Sequence, residues 1–546
     1  MDILLSKKGV KDGDDISLLL AETLKELQPI AEKKNIIFPQ GTFFLDSALC
    51  SRHKLHITNT MGEGEYRNGE TPFLHTVGIY MENIHNLSLI GNGAKLMIKG
   101  KMTNIVMENC SNISLEGLSI QTQEPDIHPL TVKAITATTV DFEINPQDKY
   151  VVEGKKIFFV GQDYRMPIDE CKHVAWWTGK ICVDTPNSIK RGAHPFWKAV
   201  AYREIAPNVV RAYYFSKPKC KVGDIYNIFD VRRKYVGIFV NNCKGVTLLD
   251  VEQGFNYSLS FVAQCSENIT LERVRFAPQN GDFRKEISIA DFIQVCMCRG
   301  EVVVKDSYFE GAGDDCLNVH GMHFRVEAIR DRSIQVAFKH PQSFGYNGLF
   351  VGDEIEYIEP TTLLTIGKAK ISASKMIDLY TIELEVSNVD GCRSGCVIED
   401  VTACPNLTFV GNTMDRIITR GILITTRGKV LVQNNKFLNN SMSTILLSND
   451  AKSWFESGRV EDITICDNLF ANSLEYDILV KPENGLNKTP VHSNIVIRDN
   501  QFNSPTNGGI YIKSSRDVTI KDNKIACPRA DFLTCKDVEN LVSDIQ

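Results

Sequence analysis

The stretch EGAGDDCLNVHG, residues 310–321, sets Asp314 and Asp315 side by side behind a Gly-Ala-Gly, with His320 five residues on. In a regular strand, neighbouring side chains point to opposite faces. Gly311 and Gly313 permit a bend that turns both carboxylates to one side. A third acid, Asp291 in SIADFIQVCMCRG, precedes Asp314 by 23 residues. If the chain repeats with that period, the three carboxylates share one outer patch on coils about 4.8 Å apart. Like charges that close raise one pKa and hold one group protonated near neutrality. A protonated carboxyl beside an ionised one is what glycoside hydrolysis uses: one protonates the departing oxygen, the other takes a proton from water. The same spacing also suits a calcium site, since oxygen ligands fit hard cations, or a solvated acidic corner.

Other side chains could recognise a sugar. Trp454, in DAKSWFESGRV, offers a flat apolar platform. Asp450 and Glu456 beside it could accept from sugar hydroxyls. Arg416 and Arg420, in DRIITRGILITT, are forked donors that suit sugar oxygens or orient carboxylates. Asn318 and His320, on the heels of the aspartate pair, complete the set. Each alone reads equally as structure: a Trp over an apolar corner, an Arg in a surface pair, a satisfied histidine at a bend.

A repeat must position these groups. NIHNLSLIGNG, NCSNISLEGLSI, NNCKGVTLLDVEQ, QCSENITLERVRF, ACPNLTFVGNTM, VEDITICDNLFAN and SRDVTIKDNKIACP each read as a short alternating strand, a polar corner and a second strand. Val246 to Ile269, Leu407 to Val430 and Ile495 to Val518 are each 23 residues apart. The leucine-rich signature is absent, and corner asparagines favour side-chain ladders. The fold expected is therefore all-β: a right-handed parallel β-helix. SLLLAETLKELQPIAEKK supplies an N-terminal capping helix over its open end, and IIFPQGTFFL the first coil.

Two stretches break the period and read as β-rich, barrel-like insertions walling one face. The division expected is 1–120 (cap and first coils), 121–235 (insertion), 236–321 (coils with the aspartates), 322–400 (second insertion) and 401–546 (last coils). The 16 cysteines recur just before strands, as in Cys110, Cys243, Cys265 and Cys404, which predicts small buried thiols stacked in a column. Cys171 with His173, or Cys392 with Cys396, is half of a zinc site without its second half.

At 546 residues with 43% hydrophobic and 23% charged side chains, the chain is that of an ordered protein, too long for one ordinary core. A net charge of −6 supplies no basic field for nucleic acid. No apolar run approaches the ~18 residues of a membrane span. MDILLSKKGVKDGDD is not a signal peptide. A chain that naturally starts at Met1 stays in the cytoplasm; one whose leader was removed is secreted or periplasmic.

GNGAKLMIKGKMTNIVMENCSNISLEGLSI, ADFIQVCMCRG, GDDCLNVHG, HPQSFG, VGDEIEYI, TRGILITT and NDAKSWFESG, in this order and spacing, resemble the β-helical α-1,3-galactosidases of glycoside hydrolase family 110. The resemblance covers most of the solenoid and implies a β-helix with two β-rich insertions. It implies a metal-independent, cofactor-free inverting exo-hydrolase that releases terminal α-1,3-linked galactose from a glycan, with Asp291, Asp314 and Asp315 as catalytic aspartates. Where the family pattern has histidine after its "AD" pair, this chain has Gln294, which can hydrogen-bond a sugar hydroxyl but cannot titrate. Three rivals share the architecture: a polygalacturonase-like hydrolase, a polysaccharide lyase and a non-catalytic glycan-binding solenoid. The outer flanks of such a solenoid leave room for a homodimer.

Overall fold

A computed structural model of the chain describes residues 1–545 apart from 67–68, 169–177, 193–194 and 231. Three columns of short parallel strands stack into a β-helix. One column runs through Ile238–Asn241, Phe261–Gln264, Ile293–Cys296, Leu317–Arg330, Ile422–Thr425, Ile445–Leu447 and Ile478–Val480. A second contains Lys244–Leu249, Glu267–Glu272, Arg299–Lys305, Asn406–Val410 and Val430–Gln433. An 11-stranded sheet forms the third. The three 23-residue spacings become direct pairings: Val246 with Ile269, Leu407 with Val430, Ile495 with Val518. Alternation decides which side is core: Ile269 and Leu271 are buried, while Thr270 and Glu272 between and after them are not.

The corners explain why the repeat is rich in asparagine. Asn242, Asn434 and Asn472 take left-handed φ of 51°, 56° and 60°, which Asn tolerates better than branched residues. Inside the coil, Asn412, Asn435, Asn468, Asn500 and Asn523 form a ladder. Each Nδ2 donates to the Oδ1 of the next, at 3.1, 2.9, 3.0 and 3.0 Å. Phe437, Phe470 and Phe502 stack beside it with centroids 5.0 and 4.9 Å apart, close to the rung spacing. Asn468 also donates to Val432 O and accepts from Asn435 N–H, so replacing it strands several buried groups. Each costs about 1–3 kcal/mol. Asn468→Ala should therefore lower unfolding free energy by roughly 3 kcal/mol or more, read by urea denaturation.

The cap is shorter than the sequence suggests. Its helix, Ser17–Leu27, buries Leu20, Leu24 and Leu27 against the first coils and stops where Pro29 cannot continue it. The strand Asp2–Leu4 adds an unforeseen rung, pairing Asp2 with Asn35 ahead of the expected first coil. The thiol column is also partial. Cys110 and Cys243 stack (Cys110 N–H to Cys243 Sγ, 3.3 Å), but Ser266 takes the next place. Cys265 turns outward into the second insertion's core, and Cys404 hydrogen-bonds Asp400 O.

The first insertion is an open seven-stranded sheet, His128–Ile135 to Ile225–Ile228, plus a three-stranded one; among the described residues it does not close into a barrel. The second does close: Leu317–Arg330, Ser333–Ala337, Thr381–Val386, Leu364–Met376, Glu354–Glu359 and Val397–Asp400 pair in a ring of six. Leu317–Arg330 belongs to both bodies. Its first residues are a solenoid rung and its later ones a barrel strand, which fixes the barrel beside the aspartates. Cys171 and His173 lie outside the described residues. Cys392 and Cys396 belong to the barrel core region with no third metal-ligating side chain beside them among those described.

Candidate active site

The rung register differs by one residue from the expected period. Ile293 pairs with Leu317 and Gln294 with Asn318, so Asp291 stands level with Asp315 rather than Asp314. The backbone N–H of Asp315 donates to Asp291 Oδ1 at 3.2 Å. The bend before the pair needs its glycines. Gly311 has φ +77°, and a Cβ on Gly313 would lie 2.4 Å from Ser288 O. The result is a trio with one oxygen from each carboxylate within 4.8 Å of the others, all buried, on the wall of a cavity of about 620 Å³. This is tighter than the outward splay anticipated for an inverting pair, which usually leaves about 6.5–9.5 Å.

Three guanidinium groups converge on the trio, unequally. Asp314 accepts from Arg191 Nη2 at 3.0 Å on one oxygen and from Arg233 Nη2 at 2.7 Å on the other. Asp315 accepts from Thr419 Oγ1 (2.6 Å) and Arg420 N–H (3.0 Å) on Oδ1, and from Arg420 Nη2 (2.7 Å) on Oδ2. Asp291 has only the Asp315 N–H and the Asn59 amide, at 3.3 Å, and no ion pair among the described residues. The pKa values follow. Burial pushes Asp314 up, but Arg233, Arg191 and Arg420 outweigh it and leave about 2. Burial lifts Asp315 to about 6 against the opposing charge of Arg420. Asp291, raised by burial and then by both neighbouring carboxylates, goes well above the ordinary range. One neutral acid thus faces one firmly ionised carboxylate and one poised between.

With this geometry in hand, similarity to known proteins is informative. The chain is 32% identical over 516 residues to α-1,3-galactosidase A of Bacteroides thetaiotaomicron, covering 92% of this chain and 87% of that protein. The chain belongs to the α-1,3-galactosidase family. Other members it resembles are α-1,3-galactosidase A of Streptomyces avermitilis (28% identity; 89% of this chain, 81% of that one) and α-1,3-galactosidase B of B. thetaiotaomicron (27%; 90% and 80%). The model for a right-handed β-helix region matches residues 394–527, and that for GLAA-B β-barrel domain II matches residues 333–389. A polygalacturonase from Erwinia carotovora ssp. carotovora superimposes with TM-score 0.43 at 10% identity, covering 98% of this chain and 95% of that one.

In this family member the other candidate residues divide. Asn318, Arg420, Asp450, Trp454 and Glu456 line the cavity with the aspartates. Trp454 is 38% exposed and stacks on His340 from the barrel side, centroids 4.4 Å apart. Asp450 shapes its loop, accepting from the N–H groups of Lys452 (2.8 Å), Ser453 (3.1 Å) and Trp454 (2.5 Å). Glu456 Oε1 accepts from Asn318 Nδ2 at 3.0 Å. Gln294 and His320 lie buried behind this surface instead of lining it. His320 Nδ1 lies 2.7 Å from Gly321 O, and when it carries the proton, Nε2 accepts from Gln294 Nε2 at 2.7 Å. Gln294 therefore braces His320 from behind the cavity surface. Arg416 is elsewhere: it pairs with Glu310 and borders a separate cavity under the first insertion. The residues missed are Asn59, Arg191, Arg233 and Thr419. Asn59 bridges Arg233 Nη1 (2.7 Å) to Asp291. Arg191 and Arg233 come from the first insertion and its return, distant in sequence and marked by no periodic pattern.

Proposed function

We propose that the chain is an inverting exo-glycosidase that removes terminal α-1,3-linked galactose from glycans. Membership of the α-1,3-galactosidase family supports the substrate class. The observation carrying the chemistry is the charge asymmetry of the trio. Asp291, which has no ion pair among the described residues, is the general acid and protonates the glycosidic oxygen. Asp315, whose pKa of about 6 matches a base working near neutrality, takes the proton from water. Asp314, ionised throughout and held by Arg191 and Arg233, shares that water and stabilises positive charge at the anomeric carbon.

The short span of the trio sits closer to the ~5–5.5 Å of retaining enzymes. Single displacement is what the family resemblance implies, and the charge on Asp314 supports it. Both of its oxygens accept guanidinium donors, which weakens it as a nucleophile, while the Asp315 oxygens keep lone pairs able to take a proton from water. The calcium alternative is disfavoured by charge, because three guanidinium groups already offset the two carboxylates they pair with, Asp314 and Asp315. Galactose release should be selective for α-1,3 over α-1,4 and β-linked galactosides, absent on polygalacturonate, and unchanged by EDTA or added calcium. Product chromatography against these substrates checks all three. Release of galacturonate, or loss of activity on chelation, would replace this reading with the uronate-acting alternatives.

A further inference from the structure

The face carrying the site is blocked on one side and open on the other. Toward the N-terminal coils, residues 56–58 lie across the rung below: Thr58 N–H donates to Gln264 Oε1 (2.9 Å) and Gln264 Nε2 to His56 O (3.2 Å). Thr58 Oγ1 is in turn 3.0 Å from Ser343 Oγ of the barrel insertion. Val262 and Gln294 beneath are fully buried. In the other direction the same row of side chains continues in register through Asn318, Leu423, Leu446, Leu479, Tyr511 and Thr534. Asn318 and Leu423 are buried, but from Leu446 onward every member is partly exposed. A galactose seated against the closed end leaves the rest of its glycan along this opening row.

On that path lies a second hollow of about 500 Å³, lined by Glu475, Tyr476, Leu479, Lys481, Tyr511 and Arg529. The partly exposed rings of Tyr476 and Tyr511 have centroids 5.5 Å apart at 51°. Each offers an apolar face with a polar tip, the surface a sugar ring stacks on. The hollow adjoins the catalytic cavity: Leu446 of one and Leu479 of the other are neighbours on successive rungs, and the charge of Arg420 reaches Glu475. Tyr511 stands four rungs beyond Asn318, about 19 Å at the spacing of paired strands. A disaccharide cannot bridge that distance from the aspartates.

We infer that this hollow is a distal subsite for the reducing-end sugars of a longer oligosaccharide, with Tyr476 and Tyr511 as its platform. The inference rests on the galactosidase reading above. It is tested by kcat/KM on di-, tri-, tetra- and pentasaccharides that all end in α-1,3-galactose, for the unaltered chain and for Tyr511→Ala and Tyr476→Ala. The expected result is kcat/KM rising with length by about tenfold, the size of one good stacking contact. Both variants should lose that rise while cleaving the disaccharide as before, which also shows that they are folded. A flat length profile, or an equal loss at every length, would overturn the subsite and leave the galactosidase reading intact. No release at any length would overturn both.

Discussion

Asp291→Asn is expected to slow galactose release by about 10²–10⁴-fold, the usual contribution of a positioned acid, and to make the protein more stable at neutral pH. The activity loss depends on the leaving group. An aryl galactoside whose phenol is already acidic needs no protonation and should be largely spared, whereas an oligosaccharide should not. The stability gain follows from linkage. Burial and two neighbouring carboxylates raise the Asp291 pKa in the folded state, so that state binds a proton the unfolded chain has released. Stability is therefore lost as pH rises from the unfolded pKa of ~3.9 toward the folded one. Asparagine carries no such proton. The variant's Tm should exceed that of the unaltered chain at pH 7–8, with the gap closing toward pH 4. A lower Tm at neutral pH would mean that Asp291 is ionised and cannot be the acid.

Asp314→Asn should also abolish most activity, but with the opposite effect on stability. Its carboxylate sits at a pKa of about 2, below the unfolded value, so its contribution is present above pH ~4 and lost as pH falls toward 2. The shift corresponds to roughly 2 kcal/mol. Removing a buried carboxylate from its cations commonly costs about 3–5 kcal/mol; here Arg191 is one-quarter exposed, which favours the lower figure. Urea denaturation at pH 7 should thus show Asp314→Asn destabilised and Asp291→Asn stabilised. Two neighbouring Asp→Asn changes with opposite signs would be hard to obtain from an undifferentiated acidic patch.

Much of this was legible in the sequence, because a parallel β-helix writes its geometry locally. Alternation, corner asparagines and 23-residue spacings became strand pairs, ladders and rungs, and the Gly-Ala-Gly before Asp314 became the bend that brings both carboxylates to one cavity. The less regular parts were hidden. One extra residue in the coil between Asp291 and Asp315 changed which aspartates are level, and a period read elsewhere in the chain does not report it. Arg191 and Arg233 reach the trio from an insertion whose position over the solenoid no pattern encodes. Arg416 and Arg420 looked equivalent, four residues apart on one strand-and-corner unit, yet only Arg420 faces the aspartates. Arg416 pairs with Glu310 in the 11-stranded sheet's column, a distinction that depends on which way each side of the corner turns.

The most direct test is proton NMR of the anomeric signals while the protein acts on an α-1,3-galactosyl oligosaccharide, with Asp291→Asn alongside. β-Galactose appearing first, and absent with the variant, is the outcome expected of single displacement with Asp291 as acid. α-Galactose appearing first would mean double displacement through one of the arginine-held carboxylates, and undiminished release by Asp291→Asn would remove that residue from the mechanism.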